Sequence, residues 1–136
     1  MSLPLIRAAL EKRLALLTPA LSTSYQNASF TPVVGTPYQA ATLLPAKPDN
    51  SVMGSTQYLA IGLFQISLFY PTGAGSAASE ARAELLKAHF QRGLSFVESG
   101  VSVLVTHTPA IAQGMPDGDR WHVPVTVRWQ ALIRTP

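Results

Sequence analysis

The sequence predicts an α+β fold: a two-layer α/β sandwich in which two helices cover one mainly antiparallel or mixed four-stranded sheet, in the order α-β-β-α-β-β. Three observations predict it. The stretch Arg120 to Ile133 reads R-W-H-V-P-V-T-V-R-W-Q-A-L-I, with Trp121, Val123, Val125, Val127, Trp129, Ala131 and Ile133 at alternate positions. Successive side chains on a strand point to opposite faces, so this is a long strand with one dry face and one wet, basic face. A second stretch, Gln57 to Tyr70, is apolar on both faces, as a strand covered twice would be. Two further segments repeat their apolar residues at helical spacing. With 136 residues, the chain is expected to form one domain, 1–136, around one core.

Each element follows in order. Ser2 can cap a first helix, with Pro4 tolerated in its opening turn. Leu3, Ile6, Leu10, Leu14 and Leu17 form its main stripe, Leu5, Ala9 and Leu16 a second ridge, and Arg7 and Glu11 an i, i+4 pair. Pro19 closes it. From Ala20 to Gly35 the chain is polar and is expected to be irregular. Pro37 to Leu44 reads as the first strand, ended by Pro45, and Ala46 to Thr56 as a mobile loop.

In the Gln57–Tyr70 strand, Tyr58, Phe64, Ile66, Leu68 and Tyr70 share one face, and Leu59, Ile61, Leu63 and Phe69 the other. Gly62 marks a bulge or a close backbone approach. After Pro71 a second helix is predicted from Ala77 to Arg92, with Ser76 as its N-cap and Gly93 as its C-cap. Ala78, Ala81, Leu85, Leu86 and Phe90 form its apolar arc. Arg82 and His89 project into the same arc, either snorkelling or meeting a buried acceptor, or else making a polar contact at a subunit boundary. Val101 to Thr108 is a third strand. A turn-rich loop to Asp119 precedes the last one, in which Pro124 favours an edge position or a bulge.

Composition limits the function classes. Hydrophobic residues make up 47% of the chain and charged residues only 12%, which favours surfaces covered by oligomerisation over a merely polar, uncharged exterior. The net charge of +3 is too mild to call for nucleic acid. There is no cysteine, which removes disulfides, zinc–thiolate sites and thiol catalysis. Arg7, Glu11, Lys12 and Arg13 interrupt the N-terminal apolar stretch too early for a signal peptide, and no run reaches the about 18 apolar residues that would span a bilayer. A soluble intracellular product with no membrane contact is expected.

The catalytic and cofactor motifs are weak. Gly73-Ala74-Gly75-Ser76-Ala77-Ala78 fits G-x-G-x-x-A between a strand and a helix, as a dinucleotide fingerprint would. Pro71 intervenes, however, the next strand does not end on an acidic residue, and the helices are too few for repeated βαβ units. His89, His107 and His122 come from three separate elements without metal-ligand spacing. No G-x-S-x-G elbow occurs, and Asp117 and Asp119 read as turn formers around Gly118. The expectation is no enzyme, no cofactor and no metal. The wet face of the last strand, with Arg120, His122 and Arg128 and then Arg134, is the best candidate for interaction.

The segment F-T-P-V-V-G-T-P-Y (Phe30–Tyr38), the strand G-L-F-Q-I-S-L-F-Y-P (Gly62–Pro71), its T-G-A-G loop and the Ala-rich helix that follows resemble the bacteriophage tail-terminator-like family, which is related in fold to the lambda-type minor tail protein that ends the tail tube. The resemblance covers most of the chain. It implies a virion structural protein of a phage or prophage, assembled from host cytoplasm into the virion tail. Such a protein forms a ring, expected to be a hexamer, on the head-proximal end of the tube. Its partners would be itself, the major tail tube protein and the head–tail connector protein, with no sequence-specific nucleic acid. Candidate subunit or partner contacts are Leu5, Leu16, Arg82, His89, Arg120, His122, Arg128 and Arg134, with the loops near Asp49-Asn50 and from Pro109 to Asp119 as axial reaches. The alternatives are another neck or tail-completion protein, or a small nucleotide-binding α/β domain using the Gly73–Gly75 turn.

Overall fold

In the computed structural model, which describes residues 2–48, 57–73 and 75–134, the chain forms α1 (Ser2–Ala15), β1 (Ser22–Tyr25), β2 (Tyr38–Pro45), β3 (Gln57–Pro71), α2 (Ala77–His89), β4 (Ser95–Glu98), β5 (Val101–Val105), β6 (Ala110–Ile111), β7 (Met115–Asp117) and β8 (Arg120–Arg134). The loop expected from Ala46 to Thr56 falls largely outside the described residues.

β8 is the spine of the sheet. Along one side it pairs antiparallel with β3 over its whole length, from Gln57↔Arg134 to Pro71↔Arg120. Along the other side it meets three shorter strands in turn: β7 beside residues 120–122, β6 beside 125–126 and β5 beside 129–131. The strand order is β1-β2-β3-β8-β5-β4, with β6 and β7 also on β8, and β1 runs parallel to β2. Pro124 is therefore central and not at an edge. On an antiparallel strand the N–H and C=O of one residue face the same neighbour. The Pro124 carbonyl accepts from the Ala112 amide at 2.9 Å, so its missing N–H also faces the break between β6 and β7. The proline that cannot donate sits where the partner strand is interrupted.

The expected four-stranded, two-layer sandwich is thus overturned: the protein is mostly β, and its described residues form eight strands in one curled mixed sheet and two helices. The missed strands are short. β1 is the polar run Ser22–Tyr25, within the stretch expected to be irregular, β4 is the four-residue run Ser95–Glu98 left unassigned between the second helix and the third strand, and β6 and β7 lie within the turn-rich loop. Segments of two to four residues carry no readable period; they become strands because a long neighbour offers them partners.

The core lies on one face of this sheet. It joins Phe64, Ile66 and Leu68 of β3 and Val123, Val125, Val127, Trp129, Ala131 and Ile133 of β8 to Val103 and Val105 of β5. Ile6, Ala9, Leu10 and Leu14 of α1, with Ala83 and Leu86 of α2 and the adjoining Phe90, close over it. Each fully buried large aliphatic or aromatic side chain there contributes about 1.5–3 kcal/mol. The alternation read in the Arg120 stretch is realised: Trp129 is 2% exposed while the adjacent Arg128 faces solvent.

Both helices differ in detail from expectation. In α1, Leu3 is exposed and Ala9 is buried, so the stripe is Ile6, Ala9, Leu10 and Leu14, continued past the helix end by the buried Leu17, while Leu16 is exposed. In α2, the inward side is Ser79, Arg82, Ala83 and Leu86, continued by Phe90, whereas Ala78, Ala81 and Leu85 face outward. Alanines give little orienting force; the large Leu86 and Phe90 set the rotation, with Phe90 packing against Phe64 at 6.1 Å between ring centroids. The helix ends at His89 rather than Arg92, with the Phe90 amide still bonded to the Leu86 carbonyl. Gly93 (φ 90) instead turns the chain into β4, and its amide bonds the Val105 carbonyl at 2.8 Å. Ser76 occupies the N-cap position without a side-chain cap bond; the Ser79 hydroxyl donates to its carbonyl at 3.0 Å.

Candidate interaction surface

The sequence-selected residues separate into internal ties and surface groups. Arg82 is 4% exposed, and its guanidinium donates to the Pro19 carbonyl, tying α2 to the segment after α1. Burial holds its pKa below the usual arginine range, partly offset by the nearby Tyr70, whose own hydroxyl pKa is pushed up by burial. His89 is half-buried and bonded across to α1. Arg120 is 6% exposed and donates to the carbonyls of Val33 and Thr36, with its guanidinium 5.1 Å from the Tyr38 ring centre. Of the remainder, Leu5 and His122 are half-buried, and Leu16, Arg128 and Arg134 are exposed.

Arg120 explains half of the sheet's outer face, the side away from the core. Register places Tyr38, Phe69 and His122 in one row across β2, β3 and β8. Their rings stack, Tyr38 on Phe69 at 4.8 Å and Phe69 on His122 at 4.6 Å, and Phe30 extends the row at 5.1 Å from Tyr38. The segment carrying Phe30 to Thr36 is held down by the two carbonyl bonds from Arg120. At this end the chain covers its own sheet, and the solvent side of the covering segment, residues 31–36, includes Val33 and Val34 at 65% and 85% exposed.

The other end of the same face has a different character. Register aligns Leu44 with Leu63 and Arg128, Ile61 with Gln130 and Leu104, and Leu59 with Leu132. These side chains belong to the face opposite the helices, and Leu44, Leu132 and the β4 residue Val97 are 41%, 46% and 66% exposed. A shallow depression of about 300 Å³ lies among Ile61, Leu63, His107, Arg128 and Gln130. Sequence reading recognised Leu59, Ile61 and Leu63 as a second apolar face but missed Leu44, Leu104, Leu132 and Val97. Their common face depends on strand register, which periodicity within one strand does not provide; the lone apolar Leu132 on the basic face was the available signal.

The Gly73–Gly75 turn does not sit in a βαβ unit. It follows β3, whose neighbours β2 and β8 are both antiparallel to it, so the crossover between parallel strands that positions a pyrophosphate is not built there. Gly73 (φ 84) and Gly75 (φ 81) serve the reversal from strand to helix. Among the described residues no group of three or more His, Cys, Asp or Glu side chains is placed to hold a metal ion, and no helix is long and apolar enough to cross a membrane.

A family profile described as phage tail terminator protein matches residues 5–129. Among solved structures, a protein without a functional name is 32% identical, with a TM-score of 0.77, covering 100% of this chain and 99% of that one. A chain from the virion of a native gene transfer agent particle has the same fold, with a TM-score of 0.64 at 18% identity, covering 96% of this chain and 97% of that one. No curated protein matches the sequence.

Proposed function

Since the chain belongs to the phage tail terminator family, we propose that it acts as one domain that assembles into a ring on the head-proximal end of a tail tube, stops tube polymerisation and presents a docking surface to the head–tail connector. It is a phage tail structural protein, and the role is mechanical rather than catalytic. A hexameric ring is the arrangement put forward, with the major tail tube protein below it, the connector above it, and subunits supplied from the host cytoplasm.

The observation that carries this reading is the family match over nearly the whole chain. It is supported by a sheet whose outer face keeps Leu44 and Leu132 in water at one end, a surface a lone subunit gains nothing by exposing. A cyclic ring needs two different patches on each subunit, one meeting the other on the next copy, and a sheet with helices on one side only offers two unlike sides. The test is polymerisation of the major tail protein in vitro, with tube length measured by electron microscopy. Added in excess over tube ends, this protein is expected to halt elongation and appear as a ring on one end of each tube. Tubes that keep growing with unchanged length distributions and bare ends would refute the proposal.

A further inference from the structure

The geometry points to a specific subunit contact, resting on the ring proposed above: the leucine-bearing end of the outer sheet face receives the outward side of α2 from a second copy of this chain. The sheet face supplies the first argument. Strand β3 is apolar on both faces, yet α1 and α2 both pack on the same one. At the far end of the outer face the chain's own Phe30–Thr36 segment provides a cover, pinned by Arg120. At the near end Leu44 and Leu132 remain 41% and 46% exposed. A helix lying across these leucines would complete the second layer that such a sheet requires.

Charge selects the occupant. The open end carries Arg128 and Arg134, both exposed and without an ion-pair partner among the described residues. The outward side of α2 carries the exposed Leu85 next to Glu84, and Glu80 and Glu84, with Lys87, line a groove of about 700 Å³ that reaches Ile111 of β6. Glu80 has no ion-pair partner among the described residues, and Glu84 meets Lys87 only at 4.0 Å. An apolar patch bordered by arginines and an apolar ridge bordered by glutamates are complementary, and they lie on opposite sides of one subunit. A contact of this kind is heterologous, so successive copies add in one direction and close when the rotation allows.

The absence of native cysteine makes the test clean. Leu132→Cys and Leu85→Cys chains, each otherwise wild type, are mixed at high concentration and on tail tubes, oxidised, and read by mass. Cross-links joining the two variants to each other, with neither joining to itself, are expected. Arg128→Glu/Arg134→Glu is expected to lower cross-linking by at least about tenfold, as like charges across an interface do. Adding Glu80→Lys/Glu84→Lys to the opposite partner is expected to restore it. Closed rings that form without this cross-link, or with charge reversal causing no loss, overturn the contact while leaving the ring standing. Rings unchanged by reversal but with lost retention of double-stranded DNA would assign the arginines to nucleic acid and likewise overturn it. If no closed ring forms under any condition, the functional reading fails first, and the contact with it.

Discussion

Arg13 and His89 each hold the other's main chain: the Arg13 guanidinium donates to the His89 carbonyl at 3.0 and 3.3 Å, and His89 Nε2 meets the Arg13 carbonyl at 2.5 Å. Because a carbonyl only accepts, Nε2 carries the proton in this pair. The bonds join the last turn of α1 to the last residue of α2; the Arg13 carbonyl also accepts from the Leu16 amide at 3.2 Å, so His89 is its second donor. Two helices with no covalent constraint between them are thereby fixed in relative position over the core.

This pair makes stability depend on pH. Burial lowers the His89 pKa from its ordinary 6.5, and the positive charges of Arg13 and Arg82 add to the shift, opposed by the bond to the Arg13 carbonyl. The folded state therefore resists protonation more than the unfolded chain does. Above about pH 6.5 both states are neutral at this position and the full stability is present; as pH falls below it the unfolded chain takes the proton first and stability is lost until the folded pKa is passed. Urea melts between pH 7.5 and 5 are expected to show a decline that is smaller in His89→Gln, which cannot titrate. Equal slopes in the two proteins would remove His89 from the account. At pH 7.5, His89→Ala is expected to cost about 1 kcal/mol, the net value of one hydrogen bond.

Arg120 is expected to matter for the Phe30–Thr36 segment more than for the core. Its two donations to Val33 and Thr36 are charge-assisted bonds from a residue 6% exposed. Arg120→Ala removes both charge-assisted bonds, leaving the Val33 carbonyl with the Thr36 amide alone, and removes the cation over Tyr38, at an expected cost of about 2–3 kcal/mol. Arg120→Lys keeps the charge but loses the planar fork that spans two acceptors, so most of that cost is expected to remain. Hydrogen exchange would locate the effect: faster exchange confined to residues 28–37 in the variant agrees, while uniform acceleration through β3 and β8 would show that the arginine supports the sheet itself.

By contrast, the ion pair between Lys12 and Glu98 is expected to contribute little. Its distance is 2.8 Å, but the lysine side chain is 67% exposed, and water screens such pairs. Lys12→Ala is expected to change stability by less than about 1 kcal/mol in thermal melts, and the difference is expected to shrink further in high salt.

The two longest strands were readable almost to the residue, β8 by its sustained alternation and β3 by a long apolar run rich in aromatic and β-branched residues that Pro71 ends. The short ones were not. β1 is Ser22-Thr23-Ser24-Tyr25, and its being a strand is a property of β2 beside it, with Gln39 Nε2 donating to the Thr23 hydroxyl at 3.0 Å. The arginines of the last strand show the same limit. Arg120 and Arg128 sit on the same side by parity, yet one is buried under a returning segment and the other is exposed. Nothing in the strand's own pattern encodes that difference, since it arises from residues more than eighty positions away. The candidate interaction surface was legible in part, through Arg128 and Arg134; its leucines became a patch only once register brought four strands together.

The close approach expected at Gly62 gives the sharpest local prediction. A methyl group there would lie 2.6 Å from the Leu44 carbonyl oxygen and 2.7 Å from Cζ2 of Trp129, its cross-strand neighbour on β8. The oxygen belongs to a paired backbone, and the indole is 2% exposed within the core, so neither can yield cheaply. Gly62→Ala is therefore expected to destabilise by about 1–3 kcal/mol despite the better strand propensity of alanine. If the clash with the indole is the main cause, Trp129→Phe, which removes the outer ring atoms, is expected to make Gly62→Ala less costly than in the wild type, although Trp129→Phe alone is destabilising. A double-mutant cycle in urea reads the coupling directly. A coupling near zero would place the strain on the Leu44 carbonyl, and the expected signature would then be a loosened β2–β3 ladder at Leu44 and Pro45, visible as faster exchange of the Ala46 amide that bonds the Ile61 carbonyl at 2.9 Å.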